Sequence, residues 1–250
     1  MLTEERFDAI RGLLGRNGKV LATELAAQFD VSEDTIRRDL RELARQGHCR
    51  RVYGGALLPT PDLGTLTARS ATKADSKGAL ARVAAGLVRN GQTIFIDAGS
   101  TNLAIAHALP RDLTLTVVTN APLVAAALSD HPGYTVIMLG GIYDQQKGAC
   151  LGAQTVREAG QIFADMFVLG LCGIDAVMGV TALDAAEAEL KRVMIQQSSL
   201  LLAAATTDKL GTIAPFKLAD AANVDHLIVE TGAADMTAYS GLDIEVHVAG

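Results

Sequence analysis

Residues 31–47 read VSEDTIRRDLRELARQG. With Ile36 as the origin of a helical wheel at about 100° per residue, Leu40 and Leu43 fall within about 40° of it. Arg37, Arg38, Arg41 and Arg45 fall between about 100° and 200°. One stripe therefore faces a core, and four guanidiniums project from the other side. Ser32 is a natural N-cap, Glu33 and Asp34 suit the positive end of the helix dipole, and Gly47 is a C-terminal stop.

The flanking residues build outward from this helix. Phe7, Ile10 and Leu14 recur at helical spacing from Thr3 to about Arg16, and Asn17-Gly18 ends that run. A second short helix is predicted from about Thr23 to Phe29, followed by a tight turn at Asp30-Val31-Ser32. Helix, short turn and helix with a basic outer face is the helix-turn-helix plan, whose second helix enters the major groove. The stretch HCRRVYGGAL (48–57) alternates and ends in glycines, as a β-ribbon wing does, and places Arg50, Arg51 and Tyr53 within reach of phosphates. The expected DNA-binding set is Ser32, Asp34, Thr35, Arg37, Arg38, Arg41, Arg51 and Tyr53. Asp34 lies on the arginine face four residues before Arg38, where it could accept from a cytosine amine or orient Arg38. A merely solvated basic face is the plain alternative. The turn, the cap and the wing favour DNA.

The charge distribution agrees. The chain has 250 residues and a net charge of −6, yet residues 35–51 carry six arginines against two acids. A local basic patch on an acidic protein points to a polyanion bound in one place. The three cysteines show no CxxC or Cys/His ligand spacing, so neither zinc nor a disulfide framework is expected. The N-terminus lacks the pattern of a secretory signal, and the apolar runs are far shorter than the roughly 20 residues of a membrane helix. A cytoplasmic protein is expected.

Residues 58–75 hold two prolines and many small polar residues and read as a linker between a DNA-binding domain (1–57) and a second domain (76–250). In that second domain apolar runs at 93–97, 115–119, 135–139, 166–171, 200–205, 226–230 and 244–248 alternate with helical segments, among them Thr101–Leu109 and Leu183–Gln197. This pattern predicts an α/β domain with a mostly parallel sheet. Polar residues gather just after the strands, where open α/β sheets bind ligands. Gly99-Ser100-Thr101 would offer backbone N–H groups, hydroxyls and a helix N-terminus to an anion, with Lys191, Arg192 and Lys209 as possible counter-charges. No Walker motif or nucleotide fingerprint is present.

The stretch VSEDTIRRDLRELARQGHCRRVYGGA (31–56) resembles the N-terminal signature of the DeoR family of bacterial transcriptional regulators, with Tyr53 where the family commonly has His. DAGST, TN, LGG, GIDAVMGVT, EAELKRVM and DKLG resemble that family's C-terminal sensor domain. The resemblance implies a fold similar to ribose-phosphate isomerases and CoA-transferases and a phosphorylated sugar as effector. Carried over by position, it implies an effector set of Asp97, Gly99, Ser100, Thr101, Asn102, Thr119, Asn120, Gly141, Lys191 and Lys209. Two departures lie near the implied pocket: TTDK (206–209), where the family often has Asp-Ser-Ser-Lys, and IVET (228–231), where ITD is common. The expected function is a repressor of a carbohydrate operon, acting on double-stranded operator DNA as a homodimer or higher oligomer, without cofactor, metal or catalytic residues. One alternative is a sugar-phosphate isomerase or hydrolase using Asp97, Asp175, Glu187 and Lys209. Another is an activator.

Overall fold

The hydrophobic spacing of the first sixty residues becomes three helices and a small sheet: α1 (Thr3–Asn17), β1 (Lys19–Leu21), α2 (Ala22–Phe29), α3 (Glu33–Arg45), β2 (Arg50–Val52) and β3 (Gly55–Leu57). Phe7, Ile10, Leu14, Leu25, Ile36, Leu40 and Leu43 form one buried cluster, as the wheel predicts. The wing strands β2 and β3 pair antiparallel, and β1 adds to β3 as a third strand that the sequence did not signal. Three residues are too few to show a period of two.

The computed structural model describes residues 2–57, 64–233 and 236–250. The chain divides into two units, Met1–Asp62 with Gly211–Ile213, and Leu63–Leu210 with Ala214–Gly250. The expected linker, 58–75, lies outside the described residues at 58–63. Its remainder is largely helical, with α4 (Leu66–Ala71) and the start of α5 (Ala74–Leu87). The reasons are local. The Thr65 hydroxyl caps α4 by accepting from the Ala68 N–H at 3.2 Å, and Leu66 is buried.

The second unit is built on a seven-stranded sheet. Its strands are β4 (Thr93–Ile96), β5 (Leu115–Thr119), β6 (Tyr134–Met138), β9 (Ala164–Leu169), β12 (Ser198–Ala205), β14 (His226–Glu230) and β15 (Glu245–Ala249). They are the seven predicted runs, and every pairing among them is parallel. The helices between them are α6 (Ser100–Ala108), α7 (Pro122–Ala127), α8 (Ala153–Ala159) and α9 (Ala185–Gln196). Central strands buried on both faces need continuous apolar side chains, and Ile94-Phe95-Ile96, Met166-Phe167-Val168 and Leu201–Ala205 supply them. Phe95 and Phe167 are register partners whose rings meet edge to face, 6.2 Å apart.

The strand order is β15-β14-β12-β9-β4-β5-β6. The chain lays β5 and β6 on one flank of β4, then returns to place β9 on the other. The β4–β9 seam is thus the topological switch point, the place where open α/β sheets form a crevice at the carboxyl ends of their strands. Two small antiparallel additions flank the main sheet: the hairpin β7 (Ile142–Asp144) with β8 (Ala149–Leu151), and a three-stranded sheet of β10 (Gly173–Asp175), β11 (Gly179–Ala182) and β13 (Phe216–Ala219). Neither was expected from the sequence, because strands this short carry no periodic signal.

Candidate DNA interface and effector crevice

Helix α3 starts where the sequence places it. Ser32 accepts from the Thr35 N–H at 3.2 Å, and the two hydroxyls lie 2.9 Å apart. These side chains therefore serve the cap in this state. The helix ends at Arg45, and Gly47 just beyond takes the left-handed conformation (φ 80°).

The four arginines are not equivalent. Arg37 donates to Glu33 at 2.7 Å and lies 3.5 Å from Asp34, while Arg45 pairs with Glu42 at 2.5 Å. The hydrogen bonds from Arg45 and Gln46 hold the Glu42 carboxyl low, at about 2. Arg38 and Arg41 are exposed and have no side-chain partner among the described residues. Asp34 is thus aligned with Arg37, not with Arg38 as one expectation had it. On the wing, Arg51 is exposed and Tyr53 stands fully in solvent at the β2–β3 turn. Arg50 is half-buried, with Nε and one terminal nitrogen buried and unpartnered.

The sequence reading missed what fixes α3 in place. Asp39, counted only as an acid among arginines, turns inward and receives two hydrogen bonds from Arg6 of α1, at 2.5 and 3.0 Å. Both residues are buried. The hydrogen bond to Asp39 outweighs burial and holds Arg6 above its ordinary value. This bidentate pair locks the recognition helix against α1, so the exposed arginines project from a fixed frame.

At the β4–β9 seam the residues after β4 form a buried polar cluster. Asp97 lies at the end of the strand and is 1% exposed. Its Oδ1 accepts from the Asn102 amide at 2.7 Å and from the Gly170 N–H at 2.7 Å, and its Oδ2 lies 2.9 Å from Lys191 Nζ. Lys191, from α9, also donates to the Gly170 carbonyl. Burial alone would discharge both partners, raising the Asp97 carboxyl and lowering the Lys191 amine. The pair and the two further donors on Asp97 oppose this, and Lys191 is held above its ordinary value. Gly170 was not singled out from the sequence. A Cβ there would stand 2.9 Å from Asp97 Oδ1, so the backbone can serve both charges only if residue 170 has no side chain.

The other expected effector residues divide by role. Thr101, in the first turn of α6, is buried with its hydroxyl unpartnered, and the Asn120 Oδ1 is likewise buried and unpartnered. Gly99 and Ser100 open α6 as expected. Thr119 is fully buried, and its hydroxyl accepts from the Ala121 N–H at 3.1 Å. Gly141 takes φ 135°, and a Cβ there would come 2.2 Å from the Thr155 hydroxyl. Thr119 and Gly141 thus shape the loops around the crevice. Lys209 is half-buried with no hydrogen-bond or ion-pair partner among the described residues. Burial lowers its pKa, against the opposing influence of Cys172 and Asp208 and with the charges of Lys191 and Lys77 adding to the fall.

The two departures, TTDK and IVET, meet each other. Glu230 Oε2 accepts from the Thr207 N–H at 2.5 Å and from its hydroxyl at 2.7 Å. Next to Thr207, Asp208 pairs with Lys73 at 2.5 Å, at the entry to α5. Buried Thr206 accepts from the Lys209 N–H at 2.9 Å through its carbonyl. One short turn thus carries Lys209 and fastens the start of α5 through the adjacent residue.

A helix-turn-helix with a basic outer face, followed by an α/β unit with a polar crevice at its switch point, defines a DNA-binding transcriptional regulator with a sensor domain. The comparisons agree: the DeoR-like helix-turn-helix domain matches residues 6–62, and the DeoR C terminal sensor domain matches residues 72–231. The chain belongs to the DeoR family. Among similar proteins, the glycerol-3-phosphate regulon repressor of Escherichia coli is 35% identical over 92% of both chains. The HTH-type transcriptional regulator GolR of Listeria innocua is 34% identical, over 92% of this chain and 91% of that one. The repressor GlcR of Bacillus subtilis is 31% identical, over 92% and 89% respectively. Among solved structures, ribose 5-phosphate isomerase A of Neisseria gonorrhoeae aligns with a TM-score of 0.41 and 16% identity, covering 56% of this chain and 54% of that one.

The enzymatic alternative finds no support. The named relatives are transcriptional regulators. Of its proposed acid–base set, Asp97 is tied up by Lys191, and the Asp175 Oδ1 accepts from the Val177 and Met178 N–H groups within a turn. No helix among the described residues is long and apolar enough to cross a membrane.

Proposed function

We propose that the protein is a cytoplasmic repressor that leaves its operator when a small phosphorylated carbohydrate or polyol occupies the crevice beside β4 and β9. The carrying observations are a buried, unpartnered Thr101 hydroxyl at the head of α6 and, after strand β12, a half-buried Lys209 amine with no partner among the described residues. A helix N-terminus, a free hydroxyl and a free cation together suit a phosphate. The Asp97–Lys191 pair acts as the frame beneath, and its neutralised charges leave Lys209 to face the ligand. Relatives named for glycerol 3-phosphate support a three-carbon phosphate as the first probe. Arg38, Arg41, Arg51 and Tyr53 contact DNA, and the protein acts as a homo-oligomer on repeated half-sites, since one winged helix covers little DNA.

An effector alters DNA affinity only through its different affinity for the free and the DNA-bound protein. The test is binding to the DNA upstream of the protein's own gene, titrated with glycerol 3-phosphate and a panel of sugar phosphates. The expected result is release by one of them, with Thr101→Ala and Lys209→Ala binding DNA normally but releasing only at roughly tenfold or higher effector concentration, the equivalent of one lost charged hydrogen bond. Release of both variants at wild-type concentrations would place the phosphate elsewhere.

A further inference from the structure

At the opposite end of the sheet from the crevice, three side chains converge. His226 opens β14 and Glu245 opens β15, and the two are register partners in a parallel pair. His247 lies two residues after Glu245, so it shares the same face of the strand. His226 Nδ1 and His247 Nε2 are 3.2 Å apart. Glu245 reaches both rings, with Oε2 at 3.3 Å from His226 Nδ1 and Oε1 at 3.7 Å from His247 Nε2. The rings are tilted by 49° with centroids 5.3 Å apart, so they meet at their nitrogens and not at their faces. Both imidazoles are largely buried, while Glu245 is mostly exposed.

We propose that His226, Glu245 and His247 bind a divalent cation of the zinc class. Metal–ligand bonds of about 2.0–2.1 Å at tetrahedral angles put neighbouring ligand atoms about 3.3–3.4 Å apart. The two ring nitrogens already stand 3.2 Å apart, and one donor atom from each of the three residues lies within 4.8 Å of the others. Two imidazoles and one carboxylate select a first-row transition ion, because magnesium and calcium take oxygen ligands. Three protein ligands leave the fourth position to water on the exposed side, where Glu245 stands. The sequence offered no sign of this site. Its ligands come from two strands that only the parallel register brings side by side, not from a local spacing such as CxxC. An ion there joins the last strand of the sheet to its neighbour, so binding stabilises the edge β14–β15 pair by linkage.

The test uses the full-length, untagged chain stripped of metal and titrated with Zn(II) by calorimetry, with thermal unfolding in parallel. One equivalent should bind and raise the melting temperature. Cobalt(II) in its place should give visible absorption typical of a tetrahedral site. Removing any ligand should weaken zinc binding by roughly a hundredfold or more, beyond the usual effect of losing an outer-shell partner. His226→Ala and His247→Ala test the rings. Glu245→Ala, at an exposed position, tests the site with the fold intact should a histidine variant unfold. Equal zinc affinity in wild type and Glu245→Ala, or no stoichiometric binding by the folded wild type, would overturn the proposal and leave a simple hydrogen bond between the two imidazoles.

Discussion

Lys191→Met tests whether the charged pair under the crevice carries the fold that surrounds it. Methionine keeps most of the lysine's length and removes the ammonium. Asp97 then keeps the Asn102 and Gly170 donors on Oδ1, but Oδ2 loses the cation 2.9 Å away, and the carboxylate remains 1% exposed. Removing one partner of a buried pair costs about 3–5 kcal/mol, because the other charge is left in a medium that solvates it poorly. Against a total stability of about 5–15 kcal/mol that is a large loss. For a unit of this size it corresponds to a melting temperature lower by about 6–20 °C. The variant can escape part of the cost by taking up a proton at Asp97. Burial already pushes that carboxyl upward, and without Lys191 the strongest opposing influence is gone, leaving only the hydrogen bonds to Asp97 against it. The folded variant then binds a proton that the unfolded chain, with its carboxyl pKa near about 4, does not bind at the same pH. Its stability should rise as pH falls from neutrality towards about 5, at up to about 1.4 kcal/mol per pH unit and more steeply than that of the wild type, in which the Lys191 charge opposes protonation of Asp97. Asp97→Asn in the Lys191→Met background should recover much of the loss and abolish the pH dependence. Urea unfolding from pH 5 to 8 measures both effects. A loss below about 1 kcal/mol at pH 7, or a variant that weakens as pH falls, would refute the reasoning, since either means water already reaches Asp97.

Two further outcomes follow from the geometry. Arg38→Ala and Arg41→Ala should each weaken operator binding by about 1–3 kcal/mol if they reach base edges, and should do so more than Arg37→Ala, whose side chain is already engaged by Glu33 and Asp34; fluorescence anisotropy on operator and scrambled DNA at fixed salt ranks them, and a larger loss for Arg37→Ala reverses the assignment. Gly141→Ala should destabilise the sensor domain by at least about 2 kcal/mol through the φ of 135° and the overlap with Thr155, whereas Gly99→Ala, with extended φ and its nearest neighbour 3.7 Å away, should melt like the wild type.

The helix-turn-helix and the main sheet were legible because each rests on a periodic signal. Ile36, Leu40 and Leu43 repeat with the helix, and the seven apolar runs match the seven strands of the sheet. The strands that escaped notice, such as Gly173–Asp175 and Ile142–Asp144, are too short to repeat anything. Within the crevice, Asp97, Asn102 and Lys191 were named together through the family resemblance, and the structure brings them together. What composition and spacing could not reveal was division of labour. Asp39 looks like Glu42 in the sequence, yet one is buried against Arg6 and the other pairs at the surface with Arg45. Gly170 is a lone glycine after a strand, and its importance comes from a carboxylate 73 residues earlier in the chain. The Asp208–Lys73 pair spans 135 residues and has no local signature at all.

The order of strands in the sheet also sets an order of events during synthesis. β4, β5 and β6 leave the ribosome first and can pair at once, since they are consecutive in sequence and adjacent in space. One flank of β4 then waits, with its backbone unpaired and Phe95 uncovered, until residues 164–169 emerge and β9 docks against it. A domain that assembles outward from its oldest strand exposes its stickiest edge at the middle of translation, where chaperones and misassembly compete for it. Asp97 borders that same edge, and its partners Gly170 and Lys191 arrive only with the second half. No fragment ending before α9 can therefore possess the Asp97–Lys191 pair, although it would already carry the whole basic face of α3.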